Sequence, residues 1–155
     1  MTTPSIAPTK YSKTDADYNL AKSDKSGATR LQAGSVSVPS GTVATTVIGL
    51  VPFRKGATLV RGSTSVYFAN IGDGSFTADI GYVYDDNSTY TNDPDAFAAA
   101  DTAGRSGGYA SLAATAGLTW VAAADGWIAV TTGGSTTDAT ADITFQVSLS
   151  YDGAL

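Results

Sequence analysis

The side chains that usually carry acid–base or nucleophilic chemistry near neutral pH are missing. The 155-residue sequence contains no His, no Cys and no Glu, and all 14 acidic residues are Asp. Proton transfer would fall to Asp, Lys or Tyr, each needing a large shift from its ordinary pKa. A turn-rich domain offers few sites deep enough to cause one. Gly104-Arg105-Ser106-Gly107-Gly108 matches the Gly-x-Ser-x-Gly pattern of a nucleophile elbow. An elbow needs a preceding strand and a histidine base, and the sequence has neither at that point, so the motif reads as a Gly-rich loop. Gly72-Asp73-Gly74-Ser75-Phe76-Thr77 opens like a dinucleotide loop but lacks the third glycine and precedes a strand. These absences predict a protein without catalytic residues and without a cofactor.

Two charged groupings remain. Asp85, Asp86, Asn87, Asp93 and Asp95 are hard oxygen donors of the kind Ca²⁺ takes. Their spacing is not that of an EF-hand loop, and Asp93 and Asp95 suit the start of a helix, so the expectation is a solvated loop with no metal. Arg54, Lys55 and Arg61 are the basic cluster of the body and a candidate interface for an acidic partner surface. A solvated strand end is the competing reading. Asn87-Ser88-Thr89 is a glycosylation sequon, but nothing in the sequence points to a glycosylating route.

The elements that must hold these residues are mostly strands. Asp, Thr, Ser and Gly are the residues of strands and turns, whereas Glu would favour helices. Val36 and Val38 alternate with Ser35 and Ser37 before Pro39-Ser40-Gly41. Residues 42–51 and 58–68 read as the next strands, with Gly62 as a bend in the second. Phe76, Ala78, Ile80, Tyr82 and Tyr84 share one face of another. A short helix is expected over residues 93–103, with Asp93 as cap, Pro94 in the first turn and Gly104 as stop. Residues 120–124 and 127–132, joined by Asp125-Gly126, read as a hairpin. Residues 139–151 alternate without error, as in an antiparallel strand with one wet and one dry face. The expected fold is all-β: one antiparallel sandwich, jelly-roll-like, over residues 31–155.

Residues 1–30 follow neither period and should form an extended N-terminal arm. Lys10, Lys13, Lys22, Lys25 and Arg30 make it basic, while Tyr11, Tyr18 and Leu20 could anchor in a partner's pockets. The body is acidic and the net charge is −5, which disfavours nucleic acid and anionic lipid as partners. The 25 alanines equal Leu, Ile and Val together, so a thin core is expected, of the kind a bound partner stabilises. The start lacks the charged and apolar regions of a secretion signal, and the apolar stretch 47–53 is too short to span a membrane.

Several segments together carry a resemblance: Pro52-Phe53-Arg54-Lys55-Gly56-Ala57 opening a strand, Asp79-Ile80-Gly81, Asp93-Pro94-Asp95-Ala96-Phe97, Asp125-Gly126-Trp127-Ile128, and the last alternating strand. Over residues 31–152 this resembles the small β-sandwich structural proteins of tailed-phage virions, especially capsid decoration (cement) proteins. The resemblance implies a non-enzymatic protein on the capsid surface, often a trimer at a local three-fold axis, that clamps neighbouring major capsid protein subunits. Assembly in the host cytoplasm would suit a chain without cysteine. A tail, neck or fibre protein would have the same signature. A carbohydrate-binding module would use Trp120, Trp127, Tyr82, Tyr84 and Tyr90 as stacking platforms.

Overall fold

The computed structural model describes residues 4–8 and 29–151. Within them run β1 (Thr29–Val38), β2 (Val47–Phe53), β3 (Ala57–Leu59), β4 (Ser65–Phe68), β5 (Thr77–Tyr84), β6 (Asp93–Asp101), β7 (Gly108–Tyr109), β8 (Gly126–Gly133) and β9 (Ala141–Tyr151). The helical turns of the described residues are short 3-10 turns at Arg61–Ser63, Ala103–Arg105 and Ala116–Thr119.

The strands form two antiparallel sheets. One has the order β1-β9-β4-β7, with β3 also against β9, and the other has the order β2-β8-β5-β6. β3 and β4 lie along successive stretches of one edge of β9, residues 149–151 and then 143–146, and are one strand interrupted by the 3-10 turn that contains Gly62. Taken so, the chain pairs from its outside inward: β1 with β9, β2 with β8, β4 with β7 and β5 with β6. Contacts of β9 with β4 and of β8 with β5 complete each sheet. That nesting is the jelly-roll arrangement of an eight-stranded sandwich.

Alternation decides which side chains meet between the sheets. On β9, Ile143, Phe145, Val147, Leu149 and Tyr151 are buried, while Asp142, Thr144 and Gln146 are exposed. Val36, Val38, Val66 and Phe68 join them from the same sheet. Ile48, Leu50, Val51, Ile80, Ile128 and Val130 face them from the other. A bulge on β2 between Gly49 and Val51 lets both Leu50 and Val51 enter the core. The core is not thin throughout: Phe53, Phe76, Phe97 and Trp120 supply bulk beside buried alanines such as Ala57, Ala78 and Ala98.

Two sequence expectations are corrected. Residues 93–101 form an edge strand, not a helix. Alanine's helix preference is a weak bias, and so short a helix gains little by itself. Pairing with β5 and burial of Phe97 outweigh it. Pro94 is tolerated because the strand lies at the sheet edge and is twice bulged. Gly81 permits the close approach, since a Cβ there would collide with the backbone of Asp93 and Pro94. The second correction is the hairpin. Asp125-Gly126 does turn the chain, but β8 pairs with β2 and β5, and residues 120–124 form no strand. Instead, the Ala122 carbonyl accepts from Gly56 N–H at 2.7 Å and its N–H donates to the Ala57 carbonyl at 2.8 Å.

Alternation on β9 makes a direct prediction. Phe145→Ala should cost about 3–5 kcal/mol through lost burial and a cavity. Thr144→Ala, one residue away on the wet face, should stay within about 0.5 kcal/mol. Urea denaturation of the two variants checks this.

Candidate interaction surfaces

The outer face of the β1-β9-β4-β7 sheet carries a groove of about 710 Å³. Strand register builds it from two rows. Ser35 lies opposite Thr144, Thr144 opposite Tyr67, and Tyr67 opposite Tyr109. In the next row Ala33 lies opposite Gln146 and Gln146 opposite Ser65. Small side chains on β1 leave the floor low, and the two tyrosines raise a wall on β4 and β7. Their rings meet edge to face, 5.1 Å apart and inclined by 68°. Tyr67 is 39% exposed and Tyr109 72%. The Arg61–Ser63 turn borders β9 beside the groove, where the Ser63 carbonyl accepts from Ser148 Oγ at 3.4 Å and from Gln146 Nε2 at 3.5 Å. Among the described residues, no charged side chain lines the groove.

The predicted site residues fall elsewhere. Lys10, Tyr11, Lys13, Tyr18, Leu20, Lys22 and Lys25 lie outside the described residues. Arg30 stands on β1 opposite Leu149. Arg54 pairs with Asp125 at 2.7 Å, the same carboxylate accepts Lys55 N–H at 3.0 Å, and Arg54 N–H reaches the Tyr151 hydroxyl at 3.2 Å. A half-exposed pair of this kind contributes about 0–1 kcal/mol. Arg61 donates to the Leu112 carbonyl at 2.9 Å and holds its guanidinium 5.7 Å from the centre of the Phe97 ring. Arg54 and Arg61 therefore fasten loops to the body, while Lys55 is exposed.

The acidic loop is organised by its own hydrogen bonds. Asp86 accepts from Ser88 Oγ at 2.6 Å and from Ser88 N–H at 3.2 Å. Bonds from Ser88 and Thr89 hold its carboxyl below the usual range. Asn92 Oδ1 accepts the Tyr84 N–H at 2.8 Å. Partial burial, then the hydrogen bond and charge of Asp95, push the Asp93 carboxyl up. Among the described residues no three acidic side chains converge as a metal cage would require. Ser106, centre of the Gly-x-Ser-x-Gly match, is exposed between a 3-10 turn and β7.

Trp120, Tyr82, Tyr84 and Tyr90, four of the aromatics that could have stacked on sugars, lie in or pack against the core between the sheets. Trp120 stacks on Tyr82 with ring centres 4.9 Å apart and meets Phe53 and Phe97 edge-on. The Tyr84 hydroxyl accepts from Trp120 Nε1 at 3.4 Å and from Ala123 N–H at 3.2 Å. Tyr90 packs on Tyr84. Burial, with Tyr84 and Asp93 nearby, raises the pKa of the Tyr82 phenol.

Trp127 lies on the outer side of the second sheet with Val83 and Ala129, and it is still buried. Residues 4–8 cover it. Val47 O accepts Ser5 N–H at 2.8 Å, Gly49 N–H donates to Ile6 O at 2.7 Å, and Ile6 bridges Ile48 in parallel. Ala7 and Val47 pack on the tryptophan group. This short segment hides the edge of β2, which would otherwise offer its backbone to other chains.

No protein-family model and no curated protein matches this sequence. Solved structures do share its architecture. One is a chain in the capsid of Ralstonia phage GP4, with TM-score 0.59 and 17% identity, covering 79% of this chain and 84% of that one. Another is a chain in the capsid asymmetric unit of cyanophage Pam1, with TM-score 0.57 and 15% identity, covering 81% and 86%. Likeness at these identities is likeness of fold.

Gly49 tests the covering segment. A Cβ there would lie 2.7 Å from Trp127 Cε3 and 2.8 Å from Pro4 Cγ. Gly49→Val should displace residues 4–8, expose the N-terminus to proteolysis and destabilise the domain by about 1–3 kcal/mol. Gly62→Ala, where a Cβ meets nothing within 4 Å, should resist proteolysis like the parent.

Proposed function

We propose that this chain is a non-enzymatic structural protein of a phage virion that binds and stabilises the assembled capsid shell as a decoration (cement) protein. The observation that carries the reading is the shared jelly-roll architecture with chains from two phage capsids, over about four-fifths of this chain. The composition agrees, since His, Cys and Glu are absent. The partners are the major capsid protein and other copies of this chain, as a trimer. The protein sits on the capsid surface after assembly in the host cytoplasm. Tyr11, Tyr18 and Leu20 anchor the arm on the shell, and Lys10, Lys13, Lys22, Lys25 and Arg30 pair with its acidic groups. Arg54, Lys55 and Arg61 add cations from the body, Lys55 the exposed one among them. Docking of residues 4–8 on a sheet edge of this same chain supports the idea that extended N-terminal residues can bind a neighbour by strand addition.

Purified protein added to shells that lack it should bind at regular capsid positions in cryo-EM maps. The Tyr11→Ala/Tyr18→Ala variant should bind at least about tenfold more weakly. Density confined to the neck, tail or fibres would reject the shell reading in favour of another virion position, and failure to bind any part of the particle would reject a virion role.

A further inference from the structure

The geometry points to the groove beneath Tyr67 and Tyr109 as a binding site for a neutral oligosaccharide. Among the described residues, its lining is Ala, Gly, Ser, Thr, Gln, Phe and Tyr, with no Lys, Arg or Asp. An anionic ligand would find no counter-charge among them. A purely apolar ligand would strip water from Ser35, Ser65, Thr144 and Gln146 without replacing its hydrogen bonds. A sugar matches both halves of the surface. Its hydroxyls exchange donors and acceptors with serine and threonine hydroxyls and with a primary amide. Its C–H faces, weakly positive, lie against the electron-rich face of an aromatic ring.

The hydrogen-bonding capacity is available. Among the described residues, the hydroxyls of Ser35, Ser65 and Thr144 make no hydrogen bond within the fold. Adjacent strands are spaced by about 4.8 Å, so the hydroxyl-bearing positions of one row repeat at close to the width of a sugar ring. The edge-to-face contact with Tyr67 steadies the Tyr109 ring, which is 72% exposed and so presents most of its surface to solvent. A volume of about 710 Å³ suits a few sugar units. The aromatics that the sequence offered for stacking are buried in the core, packed against it or covered at Trp127, whereas this pair lies on the outer sheet face.

The site stands on the groove alone. Loss of shell binding would leave it intact, and absence of sugar binding would leave the shell reading intact. The test titrates the full chain with cellohexaose, maltohexaose and chitohexaose, and with a heparin hexasaccharide as the anionic comparison, by calorimetry and saturation-transfer NMR. At least one neutral hexasaccharide should bind. Tyr109→Ala should weaken it about tenfold while leaving the melting temperature unchanged, and Tyr109→Phe should retain most of the affinity. Leu118→Ala, exposed outside the groove, should bind like the parent. The proposal is overturned if none of the three neutral sugars binds, if Tyr109→Ala binds as well as the parent, or if the heparin hexasaccharide binds as tightly as the best neutral one.

Discussion

The architecture depends on the pairing of the first strand with the last. β9 accepts β1 along one edge and β3 and β4 along the other, so the first sheet is assembled around it. Its partner residues on β1 lie more than a hundred positions away, as Val38 and Ala141 illustrate. Closing so long a loop costs conformational entropy before any contact rewards it. The compensation is the burial of five large side chains from one strand: Ile143, Phe145, Val147, Leu149 and Tyr151. At about 25 cal/mol per Å² of apolar area, burial of that stripe opposes the entropy cost of closing the loop.

Once the sheets are closed, what remains variable is the outside, and the two outer faces have different fates. The second sheet is covered by residues 4–8 over Trp127, which makes β8 buried on both sides. Among the described residues nothing covers the outer face of the first sheet, whose polar rows follow directly from the alternation that buries its other side. The constraint that drives Phe145 and Ile143 inward therefore also sets Thr144 and Gln146 outward, at the floor of the groove. Loops at the ends are held by ion pairs and short side-chain bonds. Asp73 is an example: it accepts from Ser75 N–H and Ser135 Oγ, both at 2.7 Å, and these bonds hold its carboxyl below the usual range.

Much of the fold was legible because alternation is a local signal of a global arrangement. β9 could be read residue by residue from its one wet face, and β5 likewise except at Val83, whose outward side chain is buried with Trp127. The bend at Gly62 was legible as well, because glycine weakens a strand interior. Misreadings arose where a distant segment decides. The alanines of β6 favour a helix until β5 offers an edge and Trp120 a place for Phe97. Asp125-Gly126 looks like the turn of a local hairpin, yet Asp125 is claimed by Arg54 and Lys55 and the strand after it pairs elsewhere. Of the groove, the alternation placed Thr144 and Gln146 on the wet face of the last strand and Ser35 beside Val36, whereas nothing singled out Tyr67 or Tyr109. β7 has two residues, too few for any period, so its pairing of Tyr109 with Tyr67 was invisible in sequence.

Native-state hydrogen exchange on the intact protein tests the central role of β9 most directly. Backbone amides from Ile143 to Leu149 should be the slowest in the molecule, opening only with global unfolding, while those of the short edge strand β7 exchange by local opening. Amides in β9 that exchange as fast as those in β7 would contradict a sandwich organised around that strand.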